Sequence, residues 1–542
     1  MPIPPIHKGT KWPSDTLGEE YPLLKLFRQT DYTTVYDART HFAVNMSSAD
    51  VDHLASILNA PPGRTPTNCV GPSVTRLNDL VALGVFGAGP FTETYTTDDR
   101  VLEKRIREYS QHIVTRKFCL EVTQNCNFRC RYCPYTQATQ TRHHSHQTMS
   151  RYTAFRAIDW YFARYVAQFA SVAAKARGRI LRAAPPALSW YGGEPFLNFE
   201  LIKTSKDYFA QLPWSEYDIP ISALRYSVTT NFSLVSEELL EFLTANDVTI
   251  HVSLDGPRAQ NDLHRITVDG NGTFDVVYNN LQQLRAYDRK YYKSRVFILA
   301  TSCPSHDSEQ CTRFLTTLDA NVTVSPMETP GRIISDTVAQ AATLKELSTE
   351  CVALLRKLGE SGDIKEVEMQ LRTNKRLRNL LRVITRKYVP IRTSAPICRE
   401  DAVAPFNMRT CPIGFDNLFV SVDGRFHMCH KTDGTLPIGS CSAGYDLSVL
   451  IDVYRAFHRT LNRKQCRSCW AVRFCNVCSA PMLHSGMFVP PDDQECECLR
   501  RAVEITFEAY QVVSEYSVVF SPAIEALQKL NQLDGVVDLG DE

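Results

Sequence analysis

The sequence has almost no net charge: 60 basic residues face 59 acidic ones, leaving +1 over 542 positions. That balance gives no whole-chain electrostatic case for nucleic acid or a membrane surface. No stretch approaches the ~18 uninterrupted apolar residues of a membrane helix, and Met1 to Pro22 lacks the apolar core of a signal peptide. The sequence therefore reads as that of a soluble, cytoplasmic protein. Internal repeats are also missing, apart from an alternation of strands and helices. Without an export signal, the eighteen cysteines do not read as a disulfide framework. Thirteen of them fall in two clusters, and clustered thiols in a reducing compartment suggest metal.

A chain of this length predicts three to four domain-sized units at ~150 residues each. After an extension over 1–22, residues 23–95 read as short strands (23–28, 33–36 and 41–44), a helix capped by Ser47, and a second helix around 74–83, which fits a winged-helix-like unit. Residues 96–330 alternate strands at 118–123, 187–191, 224–230, 248–253, 294–301 and 321–325 with helical stretches, predicting six parallel βα units. The fold class expected is α/β, a partial (β/α)6 barrel between two smaller units. Residues 331–397 read as a helical bridge. Its basic positions Lys375, Arg376, Arg378, Arg382, Arg386 and Lys387 are best taken as a solvated face. Residues 398–500 are dense in cysteine and poor in periodicity; a final helix from about 499 and a tail fill 501–542.

Directly after the first barrel strand stand Cys126, Cys130 and Cys133, spaced C-x3-C-x2-C. Three thiolates on one loop can ligate three irons of a four-iron cluster and leave the fourth iron open. A closed zinc site wants a fourth ligand, and the nearest candidate, Cys119, would lie within the strand.

This spacing, with Tyr132 before the last cysteine, resembles the radical S-adenosylmethionine (SAM) superfamily. The motif Gly192-Gly193-Glu194-Pro195 after the second strand resembles that family's GGEP segment, which receives the methionyl ammonium. Asn231, Ser253 and Asp255 resemble its ribose-contacting positions, and Arg265 resembles the arginine that pairs with the carboxylate of the cofactor. Taken alone, such residues at strand ends usually mark turns, and Asp255 with Arg265 reads equally as a surface ion pair. The resemblance covers about 115–330 and implies a 4Fe-4S cluster, S-adenosyl-L-methionine and a low-potential electron donor such as flavodoxin or ferredoxin.

In the C-terminal region, Cys411, Gly424 and Cys429 are followed by Cys466, Cys469, Cys475 and Cys478, then Cys496 and Cys498. This resembles the SPASM domain of peptide-modifying radical enzymes, which holds up to two auxiliary 4Fe-4S clusters. The final interval here is x2 where that domain usually has x3. The resemblance implies Cys411, Cys429 and Cys478 for one cluster, with Cys398 or Cys441 as a further ligand or an open iron. It implies Cys466, Cys469, Cys475 and either Cys496 or Cys498 for the other. Zinc ribbons would satisfy the paired C-x2-C steps as well. Isolated Cys69, Cys303, Cys311 and Cys351 read as small buried hydrophobes.

The combination resembles maturases of ribosomally made cysteine-rich peptides, which implies a peptide substrate with a leader segment docking on 23–95 by strand addition. It also implies hydrogen abstraction by a deoxyadenosyl radical and thioether crosslinks from Cys. Formylglycine formation on a protein substrate is the first alternative; His430 stands after Cys429 where that chemistry uses Asp as base, and histidine can accept a proton near neutral pH. Carbon-carbon crosslinking is another. From a different class comes a non-catalytic zinc-binding adaptor for peptides or RNA.

Overall fold

The structure, a computed structural model, describes residues 16–17, 21–29, 31–58, 77–81, 85–86, 91, 98–112, 114–136, 143–172, 174–303, 306–326, 328–329, 332–333, 350–374, 377–378, 380–381, 383–384, 411–475 and 477–529. Six parallel strands form its centre: β5 (Lys117–Thr123), β6 (Ala187–Gly192), β7 (Arg225–Thr230), β8 (Thr249–Ser253), β9 (Val296–Ser302) and β10 (Asn321–Pro326). They pair in sequence order from β5 to β10, each connected through helix, the arrangement a parallel sheet requires. The helices flanking them include α2 (Arg151–Ser171), α3 (Phe199–Gln211), α4 (Glu237–Ala245), α5 (Arg258–His264), α6 (Phe274–Tyr287) and α7 (Ser308–Thr317). Ser150, Ser236 and Asp307 cap α2, α4 and α7, each accepting one orphan N–H of the first turn.

Strand alternation builds the two faces. In β8, Ile250 and Val252 are buried against the helices, while Thr249, His251 and Ser253 face the other way. Trp190 and Trp214 anchor the helix side. Their indole N–H groups reach Ser205 Oγ at 2.9 Å and the Phe209 carbonyl at 2.7 Å, so both rings are buried without an unpaired donor.

The N-terminal unit is a four-stranded antiparallel sheet of β1 (Thr16–Leu17), β2 (Tyr21–Arg28), β3 (Thr33–Asp37) and β4 (Phe42–Met46), followed by α1 (Ser48–Leu58) and a short helix at 77–81. Ser47 caps α1 as its sequence suggests. Both faces of the run Leu23 to Phe27 are covered, and Lys25 within it is buried against Glu504 at 2.6 Å. Leu24 and Leu26 pack under α1, whereas Leu23 and Phe27 meet the C-terminal helix α8 (Asp493–Glu515), where Phe27 stacks on Phe507 at 4.0 Å.

Two features differ from the sequence expectation. The stretch over 398–500 contributes strands: β11 (Asn417–Val420) pairs in parallel with β5, and β12 (Arg425–His427), β13 (Gly439–Ser440) and β14 (Gly444–Tyr445) extend the same sheet. A four-residue strand is too short for a period to register, and its partner lies about three hundred residues away. The last long helix begins at Asp493 rather than near 499, set by a capping box in which Asp492 and Glu495 satisfy each other's backbone N–H. Cys496 and Cys498 therefore stand on a helix. Cys69, Cys398, Lys375, Arg376, Arg382, Arg386 and Lys387 lie outside the described residues. Arg378 donates to the Leu371 carbonyl at 3.4 Å. Among the described residues no helix is long and apolar enough to cross a membrane.

Candidate active site

The loop after β5 is fixed from several directions. Arg129 N–H donates to the Ile266 carbonyl at 2.7 Å and Arg131 N–H to the His264 carbonyl at 2.9 Å. Asn231 Nδ2 donates to Asn127 Oδ1 at 2.9 Å. These bonds turn Cys126, Cys130 and Cys133 toward one cavity of about 470 Å³. Burial pushes the Cys126 thiol up to about 12 and the Cys130 thiol up to about 11; Glu194 adds to the first shift and the Arg265 charge opposes the second. Loading a metal there must release protons.

The GGEP segment is pressed against that loop. Gly193 N–H bonds the Thr123 carbonyl at 2.9 Å and Glu194 N–H the Asn125 carbonyl at 2.8 Å. A Cβ on Gly193 would come within 2.1 Å of the Asn125 carbonyl oxygen, so the close approach itself demands glycine. Glu194 is fully buried and spans two strands, accepting Thr230 Oγ1 at 2.7 Å, Asn231 N–H at 2.7 Å and Phe196 N–H at 3.1 Å. Burial raises its carboxyl to about 7 despite those bonds.

Tyr132, Asp255 and Arg265 meet beside the cysteines. Asp255 accepts Tyr132 Oη at 2.6 Å, Arg265 Nη2 at 3.0 Å and Thr301 N–H at 2.8 Å, and the guanidinium lies 5.3 Å from the Tyr132 ring centre. The pair is buried, not a surface contact, with side chains 9% and 0% exposed. Burial works against the Arg265 charge, but Asp255, Tyr132 and Cys130 together hold its pKa above the usual arginine range.

Of the sequence candidates, Tyr132, Gly192, Gly193, Asn231, Ser253 and Arg265 line the cavity; Glu194 and Asp255 are hydrogen-bonded to lining residues without lining it themselves, and Pro195 does not line it. The fit to the expected cofactor rests on the donor set itself. Three thiols share the cavity, and Arg265, whose guanidinium lies beside Cys130, puts a positive charge in its lining with Nε left unpartnered, a set suited to an anion.

The opposite wall comes from the cysteine-rich segment. His430, Lys431, Thr432 and Asp433 line it. The His430 ring sits 4.9 Å from that of Tyr191, which precedes the GGEP glycines, and its Nδ1 is 3.6 Å from Cys429 Sγ. Behind it the cysteines fall into two groups. Burial, then the neighbouring Cys478, Asp416 and Cys429, raise Cys411 to about 11. Burial, then Cys469, Cys466 and Cys496, raise Cys475 to about 12. Cys496 also takes Arg463 Nη2 at 3.1 Å. Cys441 lies apart from these, near Gly424, Arg156 and Asp423.

Glu121 was not apparent from sequence. Fully buried in β5, it accepts Val422 N–H at 3.0 Å and the Tyr135 hydroxyl, joining the first cysteine loop to the cysteine-rich segment. An ionisable side chain at an inward strand position is the available signal, and it applies equally to His251, which with Lys117 and Thr229 lines the cavity.

Residues 120–301 match the Radical SAM superfamily. The central α/β unit is thus a radical SAM domain, the catalytic unit of enzymes that use S-adenosylmethionine with a 4Fe-4S cluster. Among curated proteins, the chain is 25% identical over 170 residues to the radical SAM cyclopropyl synthase TigE of Paramaledivibacter caminithermalis, covering 31% of this chain and 32% of that protein. It is 23% identical over 176 residues to a cysteine-type anaerobic sulfatase-maturating enzyme of Clostridium novyi, covering 31% and 40%. The matches thus span well under half of these relatives. Among solved structures it is similar to native anSMEcpe with bound AdoMet (15% identity, TM-score 0.48, 74% of this chain and 99% of that one) and to Streptococcus suis SuiB bound to precursor peptide SuiA (11%, 0.41, 88% and 99%).

Proposed function

We propose that this chain is a radical SAM peptide maturase that forms thioether crosslinks from cysteine in a ribosomally made peptide, with Cys126, Cys130 and Cys133 as ligands of the SAM-binding cluster. The observation that carries this reading is the shared cavity: the cysteine loop and GGEP glycines form one wall and His430 to Asp433 the other. When bound there, the cluster and S-adenosylmethionine supply a deoxyadenosyl radical. The residues of the chain do the positioning. Arg265 Nε offers a donor to the carboxylate of the cofactor, the Gly192 and Gly193 backbone forms part of the surface beside it, and Asn231 and Ser253 offer polar groups to the ribose.

In the cysteine-rich segment, which we read as a SPASM domain, Cys411, Cys429 and Cys478 would hold one auxiliary cluster and Cys466, Cys469, Cys475 and Cys496 another. His430 beside Cys429 is a candidate base for a substrate thiol. The N-terminal sheet would take a leader segment as an added strand, consistent with the exposed-edge mode of peptide capture. A low-potential flavodoxin or ferredoxin would supply electrons.

The test has two stages. Anaerobic reconstitution with iron and sulfide counting should give iron that falls by about four per chain in the Cys126, Cys130, Cys133 to Ala variant, and deoxyadenosine formation should be lost with it. Mass spectrometry of a co-expressed cysteine-rich peptide should then show loss of two hydrogens per crosslink, blocked by prior thiol alkylation. A colourless, iron-free protein holding zinc would instead favour the adaptor reading. An aldehyde on the peptide would favour formylglycine formation.

A further inference from the structure

Next to the Asp255–Arg265 pair, three ligand-type side chains outside both cysteine regions converge. His264 ends α5, and Cys303 and His306 follow β9. Their donor atoms all lie within 4.8 Å of one another, and the His264 and His306 ring centres are 5.4 Å apart. We propose that His264, Cys303 and His306 bind a zinc ion that staples α5 to the loop after β9.

The donor chemistry selects the metal. One thiolate and two imidazoles form a borderline-soft set suited to zinc and foreign to magnesium or calcium, which take oxygen ligands. Zinc bonds of ~2.0 Å to nitrogen and ~2.3 Å to sulfur place tetrahedral ligand atoms somewhat under 4 Å apart, so the three side chains need close by only about an ångström.

A second observation is independent of that spacing. His306 is 9% exposed; the Gln260 backbone faces its ring as a hydrogen-bond partner, which leaves the other ring nitrogen buried without one. Leaving a buried imidazole so poorly satisfied costs on the order of 1–3 kcal/mol per polar atom, and a metal on one nitrogen with a carbonyl facing the other is the usual resolution. Burial holds both histidines below their ordinary pKa, so they are neutral and can ligate at neutral pH. Cys303, 2% exposed, is raised to about 12 by burial and then by Asp255. It binds as thiolate, so its proton passes to solvent as the Zn–S bond forms. Cys311 lies close enough to raise Cys303 further; it or a water completes the shell.

The position gives the staple a purpose. The His264 carbonyl receives Arg131 N–H from within the cysteine loop, and the His264 ring lies 5.9 Å from that of Tyr132. Fixing His264 to Cys303 and His306 fixes the support under that loop.

The test uses full-length protein reconstituted anaerobically with iron and sulfide, incubated with zinc sulfate and desalted. Zinc K-edge X-ray absorption should report about one zinc per chain with two nitrogens and one or two sulfurs at ~2.3 Å, and zinc should raise the thermal midpoint. Cys303→Ser and His306→Ala should each lower retained zinc tenfold or more with iron content unchanged. Iron-replete wild type that retains no zinc, or a shell of three or four sulfurs that both variants keep, overturns the proposal. Should the variants fail to load iron, the ligand count of the wild-type spectrum decides alone.

Discussion

Arg265 and Asp255 form a buried ion pair 3.0 Å long, directly against the Tyr132 ring. Breaking one half strands the other. Asp255→Asn leaves a guanidinium buried without its counter-charge, and we expect a loss of about 3–5 kcal/mol, read as a lower thermal midpoint of the reconstituted protein. Tyr132→Phe removes one hydrogen bond and should cost about 1–2 kcal/mol. Equal losses from the two variants would refute the ranking.

Gly193 offers a sharper probe of the loop. In Gly193→Ala the new methyl meets Asn125 and Gln124 backbone atoms at 2.1 and 3.0 Å, which cannot rotate away. The strain, about 1–3 kcal/mol, should fall on the contact between the GGEP segment and the cysteine loop. Deoxyadenosine formation should drop at least tenfold while auxiliary iron stays bound. Wild-type turnover by this variant would show that the segment moves freely.

Cys496 and Cys498 sit on one helix two residues apart, and therefore on different faces. Cys496 acts electrostatically on Cys466, Cys469 and Cys475 in the arrangement described. Cys496→Ser should lower iron content in reconstituted protein and Cys498→Ser should leave it unchanged. The reverse pattern would move the fourth ligand to Cys498.

His251 predicts a pH dependence. Burial, and then the nearby Lys117 charge, push its imidazole down to about 4. The ordinary value is ~6.5, so the folded chain binds fewer protons than the unfolded one between these limits. Stability is therefore full above about pH 6.5 and declines as pH falls toward 4, by up to about 3 kcal/mol. Subtracting the thermal-midpoint profile of His251→Gln from that of wild type should expose this slope; parallel profiles would show that His251 does not contribute.

The barrel was legible because its strands are buried and regular. Strands expected at 118–123 and 248–253 appear at Lys117–Thr123 and Thr249–Ser253. The cysteine loop was legible because its spacing is local. What escaped was held by distance. Leu418 to Val420 join the central sheet through Phe118 to Leu120, about three hundred residues earlier, and Glu121 meets Val422 301 residues later. Cys303 is buried as its isolation in sequence suggests, but its closeness to His264 is invisible there because the two are far apart along the chain. The start of the last helix differs for the opposite reason: its signal is local, a capping box of Asp492 with Glu495 that sets the first turn six residues ahead of the apolar periodicity.

Pairing of β11 with β5 has a consequence for biosynthesis. Until residues 417–420 emerge, one hydrogen-bonding edge of β5 has no partner, and the Arg116 side chain lacks the Asp416 carboxylate that it grips across 300 residues. At ~5–20 residues per second that wait is on the order of 15–60 s. The nascent chain thus carries an open sheet margin beside the cysteine loop throughout that interval, and the central sheet reaches its full width only once the cysteine-rich segment has been made.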